Sequence, residues 1–409
     1  MSVEMNVPEI RFKGFSDEWQ SLNLDKITDV YDGTHQTPAY TKNGVMFLSA
    51  ENIRSLTSQK FISEKAFKEE FKVYPQKNDV LMTRIGDVGT ANVVETDDDK
   101  AYYVTLALLK YKQLSPYFLK SSIASPYVQR DIWLRTLHIA FPKKINMNEI
   151  KQVNVNCPPN SKESDKIGNY FQKLDSLINQ HQQKHDKLSN IKKAMLEKMF
   201  PKQGETIPEI RFKGFSGKWE VKPLSEVAEV IDPHPSHRAP NAVENGVPFI
   251  GIGDISDSGI VDFKNVRIVP LHIYNEHSAR YTIENGDFAY GRVASVGKII
   301  DLSNNVGNRY TYSPTMAIVK PKSLRPAFLK SYLGTDVFKA HVDNKTSGST
   351  RKSLGVQDFR NLPVLFPLVD EQTAIGSYFQ KLDALINQHQ QQITKLTNIK
   401  QACLNKMFV

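Results

Sequence analysis

Asp87 followed by Asp98-Asp99-Lys100 loosely fits a nuclease centre, in which two carboxylates and a lysine hold a divalent cation against a phosphodiester. A second copy of this region later in the chain carries Ser295 where Asp87 stands, so the run reads as a solvated acidic loop. The tetrapeptides NPPY and DPPY are absent, as is an FxGxG strand–turn, so no amino-methyltransferase centre is visible. Cys157-Pro158-Pro159-Asn160 precedes a helical segment, and its counterpart reads Phe366-Pro367-Leu368-Val369. No GxxxxGK[ST] phosphate loop is present, and no Ser/His/Asp set can be assigned without arbitrary choice. The chain reads as non-catalytic, with no metal and no cofactor of its own.

A different chemistry is better represented. Several loops are small, polar, basic and fixed by proline, which is the composition that grips phosphates and reads base edges. One is YDGTHQTPAY at 31–40, with His35, Gln36 and Thr37, and its counterpart is IDPHPSHRAPN at 231–241, with His237 and Arg238. Another is TRIGDVGT at 83–90, with Thr83 and Arg84, opposite GRVASVGK at 291–298, with Arg292 and Lys298. The third is TLHIAFPKKI at 136–145, with Lys143 and Lys144, opposite TSGSTRKSL at 346–354, with Ser349, Arg351 and Lys352. Arg84 and Arg292 occupy the same place in both copies, and a shared residue cannot by itself give two specificities. They read either as backbone contacts or as structural turn arginines.

Bulk composition agrees with a polyanionic partner. The 409 residues carry a formal net charge of +9 with 40% hydrophobic and 24% charged residues. This is a soluble, globular balance with a cationic excess. Two cysteines, Cys157 and Cys403, cannot build a disulfide framework. No secretory h-region and no membrane span is legible, so a cytoplasmic location without a membrane partner is expected.

The elements that must position these loops are written twice. PEIRFKGFS at 8–16 returns unchanged at 208–216, with Trp19 and Trp219 three residues on. IGNYFQKLDSLINQHQQ at 167–183 returns as IGSYFQKLDALINQHQQ at 375–391, and KLSNIKKAMLEKMF at 187–200 as KLTNIKQACLNKMF at 395–408. Between these islands only a skeleton survives: GVMFLSAENI against GVPFIGIGDI, and DVLMTRIGDVG against DFAYGRVASVG, keeping Asp79/Asp287, Arg84/Arg292 and Gly89/Gly297. Four segments follow: a diverged domain at 1–160, a near-invariant helix at 161–203, a second diverged domain at 204–368 and a second helix at 369–409. Two recognition faces on equivalent mounts explain that contrast.

The near-invariant blocks lack proline, and their glycines, Gly168 and Gly376, lie in the first turns. One apolar stripe runs Phe171, Leu174, Leu177, Ile178, Leu188, Ile191, Met195, Met199. The other runs Phe379, Leu382, Leu385, Ile386, Ile393, Leu396, Ile399, Cys403, Met407. Spacing by three and four predicts coiled-coil-like seams on helices of about 36 residues, about 54 Å long. Neither can bury so narrow a stripe alone, so the two are expected to pack antiparallel. The polar middles, with His181 and His389, read as a wet crossing or a register device. The diverged blocks mix strand-like runs (VMFLSA, DVLMT, AYYVTLALLK; VPFIGI, RYTIENGDFAYG, TMAIVK) with helical ones (SPYFLKSSIASPYVQRDIWLR; RPAFLKSYLGTDVFKAHV), predicting two similar α/β (α+β) domains.

PEIRFKGFSxxW, DGTHQTPxY, the D-V-L-x-x-R-x-G-x-x-G stretch and the IGxYFQKLDxLIxxHQQ helices resemble the specificity subunits of type I restriction–modification systems, over essentially the whole chain. The resemblance implies two target-recognition domains separated by two antiparallel helices with an internal pseudo-two-fold. It also implies double-stranded DNA as ligand, and partnership with two methyltransferase subunits and with translocating restriction subunits. S-adenosylmethionine, Mg²⁺ and ATP would belong to those partners. A coiled-coil scaffold protein, or an inactive orphan copy of the family, is the alternative.

Overall fold

Apolar runs bounded by Gly, Pro and Asn form strands in both diverged blocks, in the same order each time. The computed structural model describes residues 6–236, 238–256, 259–348 and 352–409. The chain divides into two compact units, 1–183 with 390–409, and 184–389. In the first, an antiparallel sheet runs Asp29–Asp32, Leu106–Lys110, Val80–Thr83, Ala91–Val93. In the second the order is Ala228–Ile231, Met316–Pro321, Phe288–Gly291, Ile299–Asp301, strand for strand the same topology. Each unit adds a parallel pair, Val45–Leu48 with Lys100–Tyr102 and Val247–Ile250 with Thr311–Tyr312. Each also has an antiparallel ribbon, Gln20–Asn23 with Asn154–Cys157 and Glu220–Pro223 with Pro363–Phe366.

Three expectations need correction. The run 101–110 is not one strand: it breaks at Tyr103–Thr105, because its start belongs to the parallel pair and its end to the antiparallel sheet. Of 280–291 only Phe288–Gly291 is a strand, since Gly286 takes φ +95°, a left-handed turn that extended chain cannot pass through. The two helical runs each split in two, Pro116–Ile123 with Pro126–Arg135 and Pro326–Leu333 with Asp336–Asp343. The cause in the first unit is local. Ser125 starts a new helix by accepting the Val128 N–H, and Pro126 fits a first helical turn but not an interior.

The long helices are Ser161–Lys198 and Val369–Lys406. The first gives its beginning to the first unit and its end to the second, and the second helix does the reverse. Consequently Phe408 completes the first unit's core, its ring 5.5 Å from Phe118, 5.6 Å from Phe171 and 6.2 Å from Trp19. Phe200 does the same in the second, 5.8 Å from each of Phe328, Phe379 and Trp219. These edge and tilted aromatic contacts are favourable beyond the area they bury. The repeated KMF endings and the repeated Trp19/Trp219 are two halves of one packing motif.

Within each unit the helix segments run antiparallel. In the first, Lys400 pairs with Asp175 at 2.6 Å while Tyr170 lies beside Cys403; in the second, Lys192 pairs with Asp383 at 2.5 Å. Leu174 and Leu382 are buried, Leu188, Ile191 and Leu396 pack against the cores, and Ile178 and Ile386 are half-buried. Ile399, expected in the seam, is exposed, as is Leu385 from the predicted stripe. Lys400 takes the inward place beside Asp175, with Cys403 and Leu404 following it.

Gly168 and Gly376 are explained by close approach. A Cβ on Gly168 would stand 2.5 Å from Ser115 Oγ and 2.8 Å from Phe118 N, and one on Gly376 would stand 2.9 Å from Phe328 N. Each long helix therefore crosses against the N-terminal turn of a short helix at backbone distance. Arg11 makes a bidentate pair with the fully buried Glu163, at 2.8 and 2.7 Å, and Arg211 does the same with Glu371. No described helix is long and apolar enough to cross a membrane.

Candidate nucleic-acid interface

In the first unit three loops converge on Arg84, at the end of the strand Val80–Thr83. Its N–H donates to Thr105 O and its carbonyl accepts from Ile145 N. Its guanidinium donates to Ile145 O at 3.3 Å and to Asp32 Oδ1 at 2.5 Å. The Gly86 N–H donates to Lys143 O at 2.8 Å, so the 83–90 turn and the 136–145 segment are stitched together. The second carboxylate oxygen of Asp32 lies 2.9 Å from His35 Nε2. Tyr102 donates to the Asp32 carbonyl at 2.8 Å and fixes the root of the 33–39 loop.

The second unit repeats the arrangement with different loops. Arg292 donates to Leu354 O at 2.9 Å and Pro314 O at 3.1 Å, and reaches Asp232 at 3.5 Å. Leu354 N donates back to Arg292 O and Ala294 N to Lys352 O. Burial pushes the Arg292 guanidinium below its ordinary value, and Asp232 opposes that shift. The 232–240 loop has an anchor with no counterpart in the 32–40 loop. Buried His234 lies 3.0 Å from buried His277, which in turn bonds Thr311. Burial first, and His234 second, bring His277 down to about 4, so it stays neutral while holding the loop.

The expected contact residues fall into two groups. His35, Gln36, Thr37, Lys143, Lys144, Arg238 and Lys352 are exposed on the loops, with Lys352 also 3.0 Å from Asp343. Thr83, Arg84 and Arg292 are buried beneath them, at 1%, 7% and 4% exposure. Thr83 Oγ1 donates to Asp87 O inside the turn, and half-buried Lys298 donates to Ile255 O at 2.9 Å. His237, Ser349 and Arg351 lie outside the described residues. Gly89 and Gly297 take φ +93° and +88°, which is why glycine stands there in both copies. Sequence reading passed over Asp32 and Asp232, although the signal was present: both loops carry aspartate at the same position.

This geometry gives Arg84 a positioning role. Arg84→Ala is expected to lower the melting temperature and weaken DNA binding severalfold, while leaving the slope of log K against log salt unchanged. A slope reduced by about 1 would show instead that the guanidinium neutralises a phosphate.

Comparison with known proteins gives the class. Residues 216–398 match the family described as Type I restriction modification DNA specificity domain. The chain is 21% identical over 384 residues to the Type I restriction enzyme MjaVIII specificity subunit of Methanocaldococcus jannaschii, covering 88% of this chain and 84% of that protein. It is 23% identical over 170 residues to the Type I restriction enzyme EcoBI specificity subunit of Escherichia coli, spanning 41% of this chain and about a third (35%) of that relative. The fold matches the Type-I restriction-modification system S subunit from M. genitalium with TM-score 0.62 at 14% identity, over 98% of this chain and 99% of that one. Most of the second unit is thus similar to the type I DNA specificity domain. Over most of its length the chain is similar in sequence to a type I restriction enzyme specificity subunit, and it shares the fold of a solved one.

Proposed function

We propose that the chain reads duplex DNA as the specificity subunit of a type I restriction–modification complex, each unit serving one half of a bipartite target. One observation carries this reading. Two units of the same topology present loop clusters on the same arginine–aspartate frame, yet the loops differ in sequence while the helical blocks are near-identical. A ligand common to both copies fits the identical parts; a ligand that differs between them fits the loops. The long helices accordingly dock two methyltransferase subunits and set the gap between half-sites, and restriction subunits join that core. The exposed Lys143, Lys144, Arg238 and Lys352 supply cationic contacts to phosphates, with His35, Gln36 and Thr37 near base edges. The chemistry of transfer and cleavage, with S-adenosylmethionine, Mg²⁺ and ATP, belongs to the partners, and this chain is non-catalytic.

The purified chain is expected to retard duplex DNA in a salt-dependent way and to transfer no methyl group from S-adenosylmethionine until a methyltransferase subunit is added. Methyl transfer by the chain alone that survives repurification would contradict the assignment.

A further inference from the structure

In the first unit, residues 137–144 fold back as a short hairpin. Leu137 N donates to Lys144 O at 2.8 Å, and Gly86 N to Lys143 O at 2.8 Å, so its foot stands on the Arg84 loop cluster. At its tip Ile139 and Phe141 are 99% and 104% exposed. Single exposed apolar side chains are ordinary. Two of them, wholly in water and two residues apart on an anchored turn, are a presented surface. Behind them His138 rests on Trp133, ring centroids 4.7 Å apart, with its Nε2 2.8 Å from the Trp133 carbonyl oxygen. Lys143 and Lys144, both exposed, flank the tip.

What the tip meets follows from which parts of the chain are duplicated. A partner that docks on both halves would be met by residues present in both, as in the helical blocks. In the second unit Ser347 pairs with Ser353, and the corresponding sequence at 346–353, TSGSTRKS, contains no large apolar residue. The apolar tip is therefore matched to something particular to the first unit's ligand. With lysines at its base, that ligand is the DNA half-site and not a shared protein.

We propose that Ile139 and Phe141 form a wedge that enters between adjacent base pairs of the first unit's half-site, with Lys143 and Lys144 on the flanking phosphates. This rests on the DNA-reading function proposed above. Apolar wedges partly unstack a base step and kink the duplex, which is easiest at pyrimidine–purine steps. The first half-site then carries a preference for such a step that comes from deformability, and the second half-site has no equivalent.

The test uses the full chain and a random-sequence duplex library, with wild type beside Ile139→Ser/Phe141→Ser. Both side chains lie in solvent, so the variant is expected to melt at the wild-type temperature. It should bind wild-type-selected duplexes roughly ten- to a hundredfold more weakly, with an unchanged salt slope, and lose the pyrimidine–purine step from one half only. 2-Aminopurine placed at that step should brighten with wild type and remain quenched with the variant. Equal affinity, selection and fluorescence for the two proteins would overturn the wedge and leave the DNA reading intact. A variant that selects normally but no longer captures a methyltransferase subunit would overturn it too, making the tip a protein anchor. Failure of wild type to select any sequence would overturn both.

Discussion

Replacing residues 204–368 with the equivalent block of a relative is expected to change one half of the methylated sequence completely and leave the other as it was. The main aromatic and ionic contacts between this block and the retained chain are made by residues written in both copies. Trp219 and Phe328 meet Phe200, and Arg211 meets Glu371, as Trp19, Phe118 and Arg11 do in the first unit. The junctions fall at exposed positions, Gly204 and Leu368. A donor block that keeps the arginine, tryptophan and phenylalanine therefore finds its sockets, while its own loops bring their own readout. Motif mapping by sequencing of methylated host DNA checks the result. A change in both halves would show that the units do not read independently.

Removing the arginine of a buried pair should be the most damaging single change to stability. Arg11→Met leaves the Glu163 carboxylate, fully buried in the wild type, without its bidentate partner. Breaking such a pair from one side costs about 3–5 kcal/mol, because the remaining charge stays desolvated. For a unit of roughly 200 residues this corresponds to a fall of about 6–20 °C in melting temperature. The double variant Arg11→Met/Glu163→Met should recover most of the loss, since neither charge is then stranded. Calorimetry or chemical unfolding measures both. A single variant within about 1 kcal/mol of wild type would mean that water reaches the carboxylate and that the pair matters little.

Much of this architecture was legible in the sequence, because it is stated twice. The 3-and-4 stripe placed both long helices, and the alternation of near-identical and diverged blocks marked the mounts and the reading loops. What escaped was set by tertiary partners. The two KMF endings are so alike that nothing in them says which unit each completes; only the packing assigns Phe408 to the first core and Phe200 to the second. The sequence left Arg84 and Arg292 open between DNA-backbone contacts and structural turn arginines, because their partners, Asp32 and Asp232, are more than fifty residues upstream. The buried pairing of His234 with His277 joins residues whose spacing carries no local signal. Ile399 looked like a seam residue on spacing alone, and lost its place to a lysine with a carboxylate to reach. In the 137–144 hairpin the lysines drew attention as phosphate contacts, whereas nothing local in the sequence says that Ile139 and Phe141 stand wholly in water.

The central claim is that one chain reads two half-sites through two units. Methylome sequencing of a host expressing this chain with a methyltransferase subunit of the same family tests it most directly. The account predicts a single new motif in two defined halves, separated by a fixed number of undefined bases and lost when the chain is deleted. A contiguous motif, or methylation that does not depend on the chain, would contradict it.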